Sequence, residues 1–122
     1  MKQKIAVPTD DGITISKHFG QAAYFKVIDL EDGQFRSAEI RKKVIHHHGN
    51  PESEGMHPGH QMVESIADCQ VLISGGMGSP VYERAIQSGL SVVLTRQQDI
   101  DLAIQEYVSG KLKNEPDLVH VH

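Results

Sequence analysis

Apolar residues in this chain come in short runs parted by turn residues, and the period of those runs changes along its length. Lys4 to Thr9 carries Ile5 and Val7 and reads as a first strand ending at Pro8, before a turn at Asp10-Asp11-Gly12. Ile13 to Gln21 is a polar loop holding Ser16, Lys17, His18, Phe19 and Gly20. Tyr24 to Leu30 predicts a second strand, Glu31-Asp32-Gly33 a hairpin turn, and Phe35 to Val44 a third strand alternating through Ala38, Ile40 and Val44. Arg41, Lys42 and Lys43 put charge at the end of that strand, as an edge strand does to resist stray pairing. Ile45 to Gly59 has no apolar period and is dense in Gly and Pro, so it reads as a long loop.

From Met62 the period becomes helical: Met62, Val63, Ile66 and Ala67 share a face of a helix predicted from His60 to about Asp68. Val71 to Ile73 is an apolar run of the kind buried on both faces of a parallel sheet, followed by a Gly75-Gly76-Met77-Gly78 turn. Ser79 is placed to cap a helix with Pro80 at its first position. Val81, Ala85 and Ile86 share its apolar face, Gly89 stops it, and Ser91 to Thr95 is the next strand. That strand, helix and strand make a right-handed crossover. Asp99 caps a last helix through Ile100, Ala103, Ile104, Tyr107 and Val108, with Gly110 as its stop. One domain is therefore expected over residues 1–110, with 111–122 a polar, loosely ordered tail.

The order β-β-β-α-β-α-β-α implies a three-layer α/β domain. Its mixed five-stranded sheet has spatial order 3-2-1-4-5, with helices on both faces. In that topology the His18 loop, the loop from His46 to His60, the glycine turn and Thr95-Arg96 emerge at one edge, where open α/β sheets bind ligands. Cys69 precedes a strand and belongs at the opposite edge.

Composition narrows the function. A chain of 122 residues with 39% hydrophobic content suffices for one core. A net charge of −4 argues against a nucleic-acid binder. No apolar run approaches the roughly 20 residues of a membrane helix, and Met-Lys-Gln-Lys leads directly into a strand, so a cytoplasmic protein is expected. The single cysteine excludes an internal disulfide and a four-cysteine cluster within one chain.

Eight histidines are the anomaly, and five of them, His46, His47, His48, His57 and His60, fall within fifteen residues. Neutral imidazole suits Zn, Cu, Ni and Fe, whereas a solvated His-rich loop would have the same composition. His18 is an exposed loop histidine by default, raised by its place on the same edge, with Phe19 a core plug beside it. The glycine turn offers backbone N–H groups at a helix start, a weak anion cradle lacking the full dinucleotide pattern or a P-loop lysine. Met77 is expected to be exposed or facing a ligand. Asp10 and Asp11 invite a two-metal nuclease reading, but the central strand supplies Ser74 and Gly75 where an acid is needed. No activated nucleophile stands out. His120 and His122 read as solvated.

Taken in order, Ile5-Ala-Val-Pro-Thr9, Ser16-Lys-His-Phe-Gly20 with Ala23-Tyr-Phe, Ala67-Asp-Cys69, Ile73-Ser-Gly-Gly-Met-Gly78 and Gly89 to Leu94 resemble the dinitrogenase iron–molybdenum cofactor biosynthesis family. This is the group of NifX-like proteins and of the C-terminal domain of some NifB proteins. The resemblance implies an RNase H-like fold and a non-enzymatic carrier of iron–sulfur or iron–molybdenum cofactor precursors. It makes His18 the first candidate contact, with Phe19, Gly75, Gly76, Met77 and Gly78 lining the pocket. The expected ligand is such a cluster or a single Zn, Ni, Cu or Fe ion, held by His18 with His46, His47, His48, His57 and His60. Lys17, Arg41, Lys42, Lys43 or Arg96 would offset its charge. Metallocluster donor and acceptor proteins would be the partners, and a homodimer would bring two His loops together. The alternative is a regulatory or interaction module that binds a small anion or a partner at Gly75–Gly78 without metal. An enzyme acting on phosphorylated substrates is a third reading.

Overall fold

In a computed structural model, residues 2–42 and 63–120 are described. They form β1 (Lys2–Thr9), β2 (Tyr24–Glu31), β3 (Gln34–Lys42), β4 (Val71–Ser74), β5 (Met77–Gly78), α1 (Ser79–Gln87), β6 (Ser91–Leu94), α2 (Ile100–Val108), a 3₁₀ turn (Pro116–Leu118) and β7 (Val119–His120). Five strands make one mixed sheet in the order β3-β2-β1-β4-β6. β2 is antiparallel to β1 and β3, while β4 is parallel to β1 and β6. The expected order is observed, with β6 as fifth member because β5 leaves the main sheet to pair with β7. The hairpin between β2 and β3 turns through positive φ at Asp32 (54°) and Gly33 (78°), the twist that suits a tight antiparallel connection.

Alternation along β1 divides the core. Ile5 and Val7 face α2, where Ile28, Leu30, Ile73, Ile100, Ala103 and Ile104 join them. Ala6 faces the other way, into a cluster of Phe19, Phe25, Leu72, Met77, Val81, Ala85 and Leu94 beneath α1. With a helix on each face, β1 and β4 lie in the middle layer, which is why their sequences read as near-continuous apolar runs. Neither core cluster extends to β3: Phe35 and Ile40 are 63% and 52% exposed, so the alternation read in that strand does not point into a core. Residues 63 and 64 are helical and turns continue to 68, with Val63 and Ile66 buried but Ala67 exposed. The earlier part of that helix, and the expected end of the third strand at Val44, lie outside the described residues.

Three local expectations are corrected. Ser79 is the first residue of α1, not its cap; Gly78 occupies the cap position without a side-chain bond, because β5 pairing carries extended backbone up to it. Ile86 and Val108 are 47% and 44% exposed, at the flanks of stripes centred on Val81 and Ala85 and on Ile100, Ala103 and Ile104. Residues 111–120 are not a loose tail. β6 is an outer strand with unpaired backbone groups, and this segment satisfies them: Leu94 N–H donates to Asn114 Oδ1 (2.9 Å) and Glu115 N–H to the Leu94 carbonyl (2.8 Å). Val119 and His120 then pair with Met77 and Gly78.

Arg41 turns inward on the α1 side and grips Asp68 through two bonds of 2.7 Å, with Lys4 at 3.3 Å from the same carboxylate. It is therefore an internal clamp between β3 and the segment before β4, not a charge at the candidate site. The paired guanidinium holds the Asp68 carboxyl well below its usual 3.8. Unfolded Asp68 takes up its proton near that usual value and the folded residue much lower, so its contribution is present above pH 3.8 and is lost as acid is added. The urea midpoint of the native chain should fall more steeply from pH 5 to pH 2 than that of Asp68→Asn; parallel curves would refute the coupling.

Candidate functional site

The carboxyl ends of β1, β4 and β6 share one edge marked by buried hydroxyls: Thr9 and Ser74 end β1 and β4, and Thr95 directly follows β6. Each folds the chain that follows back onto itself. Thr9 Oγ1 donates to the Thr14 carbonyl (2.7 Å) and accepts from Gly12 N–H (2.9 Å). Ser74 Oγ donates to the Gly76 carbonyl (3.0 Å), and Thr95 Oγ1 accepts from Gln97 N–H (3.0 Å). Sequence reasoning missed this trio, although a hydroxyl residue closing an apolar strand run is a legible sign of a turn fixed at its root.

The loop after β1 is held by its acids. Asp11 Oδ1 accepts from Ile13 and Thr14 N–H (2.9 and 2.7 Å), bonds that pull its carboxyl down to about 2, and Asp10 Oδ1 accepts from Ala23 N–H (2.8 Å). These carboxylates build the turn. The Ser16 hydroxyl accepts from His18 N–H (3.1 Å), and the His18 carbonyl takes Gln21 and Ala22 N–H. The loop is then fastened to the glycine turn: Gly75 N–H donates to the Ser16 carbonyl (3.0 Å) and Phe19 N–H to the Gly76 carbonyl (3.1 Å). A Cβ on Gly75 would stand 2.7 Å from the Ser16 carbonyl oxygen, so glycine is required there for close approach. His18 is exposed at this edge. Phe19 and Met77 are each 1% exposed and lie in the core, which corrects the expectation of an exposed Met77: its residue pairs in β5, and that strand is drawn down onto the α1-side cluster.

Two cavities open here and share Ile15, Lys17 and Gln98. One, of about 410 Å³, is lined also by Asp10, Ser16 and His18; the other, of about 290 Å³, by Gly75, Thr95, Arg96 and Leu118. Arg96 pairs with Glu115 and Asp117. Those carboxylates raise its already high proton affinity, and Arg96 in turn lowers the Asp117 carboxyl. Lys17 has no ion pair among the described residues. At the opposite edge a cleft of about 360 Å³ is lined by charges that neutralise one another, Lys4 with Asp68 and Arg36 with Glu31. Cys69 lies at that far end, 6% exposed, its thiol pushed up to about 11 by burial and by the Asp68 carboxylate, so it is protonated and inert near neutrality. Among the described residues no three His, Cys, Asp or Glu side chains converge as a metal site. His46, His47, His48, His57 and His60 lie outside the described residues.

The dinitrogenase iron-molybdenum cofactor family model matches residues 1–110. The chain belongs to that family. An uncharacterized protein of Methanocaldococcus jannaschii, MJ0580, is 30% identical over 113 residues, covering 90% of this chain and 89% of its own. Among solved structures, PH0822 superposes with a TM-score of 0.74 at 27% identity, over 94% of this chain and 96% of its own. The apo form of the orange protein from Desulfovibrio gigas gives 0.73 at 21% identity, over 93% and 92%, a likeness of fold. Within the dinitrogenase iron-molybdenum cofactor family match, β1, the His18 loop, the glycine turn and α2 are all included; the segment that covers β6 lies beyond it. No helix among the described residues is long and apolar enough to cross a membrane.

Proposed function

We propose that this chain is a non-enzymatic carrier of a metal centre, an iron–sulfur or iron–molybdenum cofactor precursor or a single Zn, Ni, Cu or Fe ion, held at the carboxyl edge by histidines. The observation that carries the reading is the exposed His18 on a loop pinned to the glycine turn by two backbone bonds. β3 also ends at this edge: Lys42 lies in one row with Tyr24 and Thr9, about 10 Å from β1 at roughly 4.8 Å per strand. Lys42, the last described residue before His46, His47, His48, His57 and His60, therefore lies at the edge that carries His18. Family membership supports a cofactor cargo. Imidazole suits the metals concerned, and a site without a thiolate shell suits cargo that must be released. Lys17 would offset cluster charge, Gly75 to Gly78 would let the backbone come close, and donor and acceptor proteins in the cytoplasm would load and unload it. An RNase H-like fold of the domain, and a homodimer joining two His loops, belong to the same reading.

Metal analysis after anaerobic reconstitution tests it. His18→Ala should lower metal affinity by at least roughly tenfold, the lower end of what even a supporting ligand contact costs. A variant with Ala at His46, His47, His48, His57 and His60 should abolish loading. Binding should weaken as the solution is acidified, because a protonated imidazole has no lone pair left for a metal. Equal, near-zero metal in native and variant chains would instead favour a module binding a small anion beside Gly75. Lys17 and Arg96 in the cavity next to that residue speak for this second reading.

A further inference from the structure

We infer that residues 114–120 form a strap whose carboxylates compete with an anionic ligand for Arg96 at the carboxyl edge. The inference rests on reading that edge as the ligand site. Arg96 is engaged three times by this one segment: its backbone N–H donates to Glu115 Oε2 (2.9 Å), one guanidinium nitrogen meets Glu115 Oε1, and the other meets Asp117 Oδ2. A guanidinium fork matches any planar or tetrahedral oxyanion in the same bidentate way, so the two carboxylates stand where ligand oxygens would bind.

The strap and the cations share one cavity. Leu118, two residues beyond the 3₁₀ turn's start, lines the same 290 Å³ space as Lys17, Gly75, Thr95 and Arg96. With the strap docked, the formal charges of Lys17 and Arg96 are balanced by Glu115 and Asp117. Once Arg96 swings away from its partners, an entering anion meets two cations at the mouth of a space bounded by backbone at Gly75.

The exchange is easy because the ion pairs are exposed: the Arg96 and Asp117 side chains are 58% and 65% accessible, and such pairs hold weakly. The rest of the strap has other attachments. Asn114 and the Glu115 N–H remain bonded to Leu94, and Val119 and His120 remain paired with β5. Arg96 can therefore change partners while the fold stays closed, and ligand occupancy is reported by a segment that lies beyond the family match.

The test uses the full chain with inorganic phosphate as probe, followed by calorimetry and by amide chemical shifts of residues 114–119. Glu115→Gln/Asp117→Asn should bind phosphate roughly tenfold more tightly than the native chain, the ratio that two exposed ion pairs supply. Asp117→Asn alone, which keeps Glu115 and its backbone bonds, should gain roughly threefold. Arg96→Gln should remove binding in either background, and in the native chain the strap shifts should move with the same midpoint as binding. Equal affinity in native and variant chains, binding indifferent to Arg96→Gln, or no binding to the double variant would overturn the inference. Metal reconstitution of the same proteins separates the two claims. A phosphate response without metal loading leaves the strap standing and removes the carrier, whereas equal metal loading without a phosphate response does the reverse.

Discussion

Phe19→Ala will unfold about 3–5 kcal/mol more easily than the native chain, the usual cost of removing a fully buried aromatic ring. Phe19 is 1% exposed, tilted at 52° against Phe25 with ring centroids 5.4 Å apart, in the cluster that also holds Met77 and Leu94. The void left behind has rigid walls, since β1 and α1 cannot close on it without breaking their own ladders. For a domain of this size the melting temperature should drop by something on the order of 10–20 °C. Phe19→Leu should recover most of that. If Phe19 were instead a ligand contact, the alanine variant would melt within about 2 °C of the native chain and fail only in binding, an outcome that calorimetry would expose directly.

Gly75→Val has the second large effect, for the opposite reason. The new Cβ would lie 2.7 Å from the Ser16 carbonyl oxygen, 3.1 Å from Lys17 Cα and 3.2 Å from the Ser16 carbonyl carbon, all backbone atoms that cannot rotate aside. Either the His18 loop lifts away, losing the Gly75 to Ser16 hydrogen bond, or β4 shifts beneath it. Overpacking of this kind costs about 1–3 kcal/mol, and the lost hydrogen bond about 1 more. Gly78→Ser is the contrast: the nearest atom to its Cβ is Pro80 Cδ at 3.9 Å, its φ of −69° suits any residue, and it occupies the uncapped start of α1. That change should be neutral or stabilising by a few tenths of a kcal/mol. Urea unfolding of both variants checks the pair, and equal losses would mean that the turn tolerates nothing but glycine throughout.

These two residues show where the sequence was legible and where it was not. The sheet order followed from apolar runs at β1, β4 and β6 and from the glycine hairpin, because burial on both faces leaves a one-dimensional trace. The edge of the candidate site was read from that order alone. Which glycine is sterically required did not, since Gly75 and Gly78 differ only in what approaches them from the β1 loop. Met77 looked exposed because a glycine-rich turn carries no period; its burial comes from β5 pairing with β7, a two-residue contact across more than forty positions. Arg41 and Arg96 were legible as charge but not as partners. Their carboxylates, Asp68 in one case and Glu115 with Asp117 in the other, lie 27, 19 and 21 residues away and are brought near only by folding. The histidines between 46 and 60 were visible as composition, and their geometry lies outside the described residues.

Thr9, Ser74 and Thr95 have a consequence for how such a molecule changes over time. Each hydroxyl closes its bend within a few residues of the strand that precedes it, so the scaffold is sealed before the outer part of the rim begins. Segments rooted on these seals can lengthen, shorten or exchange their chemistry without disturbing the layers beneath. One frame can in that way carry many different rims.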